Sequence, residues 1–145
     1  MNKLYFEDVQ IGDQLPSLTK APVTHVQLVR YAGASGDFNP LHTDSEVGKA
    51  VGIGGTIAHG MLIMGFVGQM VTDYLGDPTN LRRFRVRFQN MTRLGDVITC
   101  SGYVVRKYEE AGKGYIEAQV LAVDATGDCK VAGSFIATLP LRALV

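Results

Sequence analysis

The sequence predicts an α+β layer pair: one very apolar helix and one antiparallel sheet to cover it. Three observations carry this. Met61, Leu62, Ile63, Met64, Phe66, Val67, Met70 and Val71 are apolar almost all round a helical projection, as in a buried helix. Phe84, Val86 and Phe88 alternate with Arg83, Arg85 and Arg87, the period of a half-buried strand. Val97 to Tyr108, Tyr115 to Asp124 and Lys130 to Leu139 are rich in Val, Ile, Thr, Tyr and Phe, and their separators carry Gly95, Gly112 and Gly127. Such spacing reads as an antiparallel meander, with the arginine-rich strand as its first member.

Size and composition agree with one domain over residues 1–145. A chain of 145 residues can bury about 68% of its unfolded surface. Hydrophobic residues make up 46% and charged residues 19%, which excludes a disordered chain. Fourteen Lys+Arg balance fourteen Asp+Glu, so no electrostatic case for nucleic acid or an anionic membrane arises. The first residues lack the apolar segment of a secretory signal, and two cysteines are no disulfide scaffold. Cys100 and Cys129 are expected to be small buried hydrophobes, and the location cytoplasmic.

Taken in order, Pro16 and Pro22 bracket a short edge strand over Ser17 to Ala21. Thr24 and Gln27 have the spacing of a capping box ahead of a helix that reaches about Ala34 and ends at Gly33 and Gly36. Asn39-Pro40 marks a loop from Asp37 to Asp44. Ser45 is expected to cap a short helix over Glu46 to Ala50. The apolar helix starts near Ala58 to Gly60 and stops at Gly76, with Pro78 beyond. Its run from Gly60 to Val71 is too short for a membrane span, which needs about 20 residues. Gly65 and Gly68 leave a thin side for a neighbouring backbone. A lone sheet on a helix leaves one face to hide, so pairing with another chain is expected.

Nine of the 17 glycines lie between Gly33 and Gly68, together with His42 and His59. Special backbone and titratable groups therefore coincide. In Ser35-Gly36-Asp37-Phe38-Asn39-Pro40-Leu41-His42 a carboxylate and an imidazole sit five residues apart on a loop stiffened by Pro40. Aimed at one point, they could hold a water between them and exchange protons with it. The alternative is that Asp37 caps a turn and His42 is an ordinary histidine. In Ile57-Ala58-His59-Gly60-Met61 the start of the apolar helix presents free N–H groups, and Gly60 admits a close substrate. These could polarise a carbonyl that becomes enolate-like; otherwise Gly60 relieves packing between helix and sheet.

A metal site from His42, Asp44 and His59 has a weak spacing, and none is expected. His25, Gln69 and Asp73 read as structural. Arg83, Arg85 and Arg87 share one face of their strand. They form a solvated or edge-protecting face, or a patch for the phosphates of a coenzyme or an acidic carrier protein; the former is preferred.

Ser35-Gly36-Asp37-Phe38-Asn39-Pro40-Leu41-His42-Thr43-Asp44, followed by Ala58-His59-Gly60-Met61, resembles the signature of the MaoC-like, (R)-specific enoyl-thioester hydratases and dehydratases. Tyr31 to Asp37 and Val71 to Pro78 make the chain most similar to the small dehydratase subunits of mycobacterial-type fatty acid elongation. The resemblance covers nearly the whole chain. It implies a hot-dog fold, in which an antiparallel sheet wraps a long central helix. It also implies reversible syn addition of water to a trans-2-enoyl thioester, giving a (3R)-3-hydroxyacyl thioester.

On that resemblance Asp37 and His42 are the catalytic pair. Gly60 polarises the thioester carbonyl through its N–H, and His59 and Asn39 join it in the oxyanion and substrate-binding part. Asn39 and Pro40 shape the loop. No redox cofactor or metal is implied, since coenzyme A or the phosphopantetheine of acyl carrier protein belongs to the substrate. The implied partners are a second copy or a related hot-dog subunit, and an acyl carrier protein. Two alternatives are a hot-dog thioesterase and a non-catalytic subunit of a heterodimeric dehydratase. The intact Asn39-Pro40-Leu41-His42 element argues against the first, and intact Asp37 and His42 against the second.

Overall fold

The structure is a computed structural model that describes residues 3–143. Five strands, β1 (Leu18–Thr19), β2 (Leu81–Phe88), β3 (Thr99–Glu110), β4 (Lys113–Val123) and β5 (Cys129–Leu139), form one antiparallel sheet. Three helices, α1 (His25–Ser35), α2 (Ser45–Ala50) and α3 (Gly60–Leu75), occur in the first half of the chain. Single 3-10 turns lie at Phe6–Asp8, Pro40–His42 and Pro78–Asn80.

α3 lies on the sheet through Ile63, Phe66, Val67, Met70, Val71 and Leu75, all buried. Their spacing of three and four residues makes one continuous stripe. The sheet answers with Ile116, Ala118, Val120 and Ala122 on β4, and with Val131, Phe135 and Ala137 on β5, at alternate positions. The helix is not enclosed all round as its composition suggests. Met61, Gly65 and Gln69 are exposed on its far side. Among the described residues the thin side is open at Gly65, and Gly68 faces the Phe84 ring. Gln69 accepts a hydrogen bond from Lys20 Nζ at 2.9 Å.

The strand order is β1-β3-β4-β5-β2. Only β3, β4 and β5 form the expected meander. β2 pairs with β5 at the opposite edge, because residues 89–98 are a long connection and not a hairpin loop. That connection crosses the start of α3 and is held there by Ala58 N–H, which donates to Thr92 O at 2.8 Å, and by a bridge between Ile57 and Arg93. The β3–β4 turn is a tight two-residue reversal, with Ala111 at φ 50° and Gly112 at φ 72°, the left-handed pair that matches strand twist.

The first edge strand is shorter than expected, and α1 continues through Gly33 to Ser35, where Gly36 (φ 77°) closes it in the left-handed region. Thr24 caps α1 by accepting from Gln27 N–H. Asp44, not Ser45, caps α2, its carboxylate accepting from Glu46 N–H at 2.9 Å. A carboxylate one residue earlier reaches the free N–H groups of the first turn as well as a hydroxyl does. Cys100 is fully buried, and burial pushes its thiol up to about 11. Cys129 is only partly buried.

Phe135 is fully buried beneath α3. Phe135→Ala is expected to lower unfolding free energy by about 3–5 kcal/mol, and Gln69→Ala to change it by less than about 0.5 kcal/mol. Urea titration of the two variants checks this; equal losses would contradict the core assignment.

Candidate active site

Between α1 and α2 the chain is held by its own short polar side chains. Asp37 N–H donates to Ser35 Oγ at 3.1 Å, Asn39 N–H to Asp37 Oδ1 at 3.2 Å, and Leu41 N–H to Asn39 Oδ1 at 3.0 Å. Pro40 opens the 3-10 turn that ends at His42, with its φ preset for that turn. The loop is therefore stiff, and both side chains of interest project from it in fixed directions. His25 Nε2 lies 2.8 Å from Thr43 O and ties the far end of the loop to the start of α1.

His42 Nδ1 lies 2.8 Å from Ile57 O. A carbonyl only accepts, so the neutral ring carries its proton on Nδ1 and its lone pair on Nε2. That Nε2 is 3.6 Å from Asp37 Oδ2. The gap is too long for a direct hydrogen bond, and one water can contact both atoms. The Asp37 side chain is 53% exposed and that of His42 13%, so one group faces solvent and the other the interior.

His59 is buried under this pair. Its ring stacks on His42 with centroids 3.8 Å apart, and Tyr31 meets it edge-on at 4.7 Å. His59 Nε2 lies 3.1 Å from Asp37 O, while Nδ1 is buried without a hydrogen-bond partner among the described residues. Its side chain thus packs under the His42 ring and against the Asp37 backbone. Asn39 is exposed in the loop, its carboxamide oxygen accepting Leu41 N–H.

A cavity of about 310 Å³ opens beside His42, with Gly60, Ala58, Ile63, Phe88 and Val131 in its wall. Gly60 is the first residue of α3, so its N–H has no acceptor within the helix. A Cβ at this position would lie 3.0 Å from the Phe88 ring. Both readings of Gly60 thus meet at one residue: it borders the cavity, and it gives Phe88 room.

Donor atoms of Asp37, His42 and His59 lie within 4.8 Å of one another. Two imidazoles and a carboxylate are a reasonable metal set, but His59 turns one nitrogen to a backbone carbonyl and keeps the other enclosed. Among the described residues it is Asp37, not Asp44, that clusters with His42 and His59, and Asp44 caps α2. Asp73 is exposed, and Arg83, Arg85 and Arg87 are exposed on the edge strand β2.

One feature escaped the sequence reading. Lys130, 5% exposed, lines the cavity, and its Nζ lies 2.7 Å from Asp128, 3.2 Å from Asp124 and 3.8 Å from Asp96. The only signal was a lysine opening a strand, with aspartates beside Gly95 and Gly127.

The family comparison matches the MaoC-like domain over residues 8–126. The chain belongs to the MaoC-like domain family. It is 32% identical over 98 residues to an (R)-specific enoyl-CoA hydratase of Rhodospirillum rubrum, covering 67% of each chain. It is 28% identical over 96 residues to a 3-hydroxybutyryl-CoA dehydratase of Methylorubrum extorquens, covering 66% of this chain and 60% of that one. Among solved structures, a monoamine oxidase regulatory protein from Archaeoglobus superposes with a TM-score of 0.84 at 28% identity, over 99% and 98% of the two chains. An (R)-hydratase from A. caviae superposes with a TM-score of 0.82 at 22% identity, over 92% and 99%. The MaoC-like domain described here thus has the hot-dog fold: a curled antiparallel sheet around a central helix.

Two expectations follow. Gly60→Ala is expected to retain the fold, displace Phe88 and narrow the cavity, which the variant's crystal structure checks. The second concerns pH. Hydrogen bonds from Thr126 and the N–H groups of Asp128 and Thr126, with Lys130 beside them, hold the Asp124 carboxyl down at about 2. A depressed carboxyl adds stability above its unfolded pKa of about 3.9 and loses it as pH falls towards the folded value. Asp124→Asn is therefore expected to flatten the fall in thermal stability between about pH 4 and pH 2, read by calorimetry.

Proposed function

We propose that this MaoC-like domain catalyses reversible syn hydration of trans-2-enoyl thioesters to (3R)-3-hydroxyacyl thioesters. The observation that carries the reading is the pairing of His42 Nε2 with Asp37 Oδ2 at 3.6 Å, with the other His42 nitrogen locked to Ile57 O, beside a cavity that begins at Gly60. The named activities of the two curated relatives support it.

In this proposal the enoyl chain enters the cavity and its thioester carbonyl takes the Gly60 N–H. The positive end of α3 favours the negative charge that grows on that oxygen. A water sits between Asp37 and His42. Its oxygen adds to C3, one of the pair removes its proton, and the other returns a proton to C2. Both groups act from one side of the substrate, so oxygen and hydrogen arrive on the same face. His59 and Asn39 join Gly60 in the oxyanion and substrate-binding part, His59 from beneath the His42 ring and Asn39 from the loop. The reaction needs no redox cofactor or metal, and coenzyme A or a carrier-bound phosphopantetheine serves as the handle of the substrate.

The proposal extends to assembly and location. Phe38, Val51 and Met61 are 69%, 61% and 57% exposed, in the loop, just after α2 and at the start of α3. A second copy or a related hot-dog subunit covers these apolar groups and completes the acyl site. No helix among the described residues is long and apolar enough to cross a membrane, and the proposed location is cytoplasmic.

The test is hydration of crotonyl-coenzyme A by purified protein, followed by loss of enoyl absorbance with thiol release monitored in parallel. Asp37→Asn and His42→Ala are each expected to remain folded and lower kcat by about 10²-fold or more. Wild-type turnover in both variants would remove the site assignment, and thiol release in step with enoyl loss would favour a thioesterase.

A further inference from the structure

We propose that Lys130 is a positioning residue for His42, acting through the chain segment that carries Met91 to Asp96. The Lys130 ammonium has three N–H donors and three acceptors in reach: Asp128 at 2.7 Å, Met91 O at 3.0 Å and Asp124 at 3.2 Å. Two of its donors are spent on Asp128 and Met91 O, and the Asp124 carboxylate stands beside the ammonium as an ion pair. Asp96, at 3.8 Å, adds a third carboxylate and accepts Arg93 N–H at 2.8 Å. The lysine therefore fastens both ends of the 91–96 segment to the β4–β5 turn.

That segment is what holds the His42 acceptor. Thr92 O, one residue beyond the Met91 carbonyl, receives Ala58 N–H at 2.8 Å, and Arg93 bridges to Ile57. Ile57 O in turn receives the His42 ring N–H at 2.8 Å. Three links thus run from the ammonium to the imidazole: Lys130 to Met91 O, the Thr92–Ala58 bond that forms the Ile57–Arg93 bridge, and Ile57 O to the His42 ring. Burial works against the Lys130 charge, and the Asp128 and Asp124 hydrogen bonds outweigh it, so the ammonium is held above its usual pKa. One cation among three carboxylates is a fastener that a neutral side chain cannot replace, since truncation leaves the acids unpaired.

The inference rests on the reading of His42 as a catalytic group, and the experiment separates the two. The ring N–H of His42 is followed by nitrogen-15 NMR in the full chain, alongside kcat and KM for crotonyl-coenzyme A. In Lys130→Met the N–H is expected to exchange with solvent about tenfold faster or more, and kcat to fall about tenfold or more with KM changed less. Asp128→Asn, at a more exposed partner, is expected to shift both in the same direction by less, and it decides the matter if Lys130→Met does not fold. Arg142→Ala, which breaks the distant pair with Asp8, is expected to leave both unchanged. A folded Lys130→Met, or failing that Asp128→Asn, with the wild-type N–H signal and kcat overturns the positioning role. Faster N–H exchange in a protein whose wild type hydrates nothing would uphold the positioning role and remove the functional reading instead.

Discussion

The hydrogen bond from the His42 ring to the Ile57 carbonyl joins the folded core to the Asp37–His42 loop. On one side stands a loop whose shape is set locally, by Ser35, Asp37 and Asn39 side chains accepting backbone N–H groups. On the other stands the strand-like segment Ile57–Ala58, held by the 91–96 connection and leading directly into α3. Without this bond the imidazole would be free to rotate, and its tautomer would be unspecified. With it, Nε2 is the nitrogen that faces Asp37, and the pair points at one place beside the cavity.

The placement of that cavity follows from the helix–sheet packing. α3 needs the sheet because Ile63, Phe66, Val67 and Met70 cannot be left in water, and burying a side chain of this kind stabilises by about 1.5–3 kcal/mol. Its first residue then comes to rest where β2 ends, with Phe88 over Gly60. The free N–H of the helix start and the apolar cavity wall arise at the same point, and the loop brings His42 there with Asp37 beside it. Three elements distant in sequence meet because the long connection after β2 crosses this end of the helix.

Much of this was legible in the sequence where the signal is local. Thr24, Gly36 and Gly76 mark helix ends through capping and left-handed backbone, and the structure places all three at helix ends. The arginine alternation marks β2, and the apolar run marks α3. The Asp37 and His42 loop was legible because Gly36, Asn39 and Pro40 announce a stiff turn. Asp44 replaced Ser45 as a cap because both residues can accept the same N–H groups, and sequence alone does not choose between neighbours. The position of β2 beyond β5 was not legible: a strand pattern carries no information about its partner, and the Gly95-Asp96 pair resembles a hairpin turn. The burial of His59 depends on Tyr31, Asp37 and His42 from an earlier part of the chain, and the approach of Asp96 to Lys130 joins residues far apart in sequence, which no local pattern links.

In the proposed reaction Asp37 and His42 act from one side of the substrate. The most direct measurement is the stereochemistry of crotonyl-coenzyme A hydration in deuterium oxide, with the product's C3 configuration and C2 deuterium placement read by NMR. The expected product is (3R)-3-hydroxybutyryl-coenzyme A with deuterium and hydroxyl added to the same face. A (3S) product, or anti addition, would contradict the arrangement of Asp37 and His42 described here.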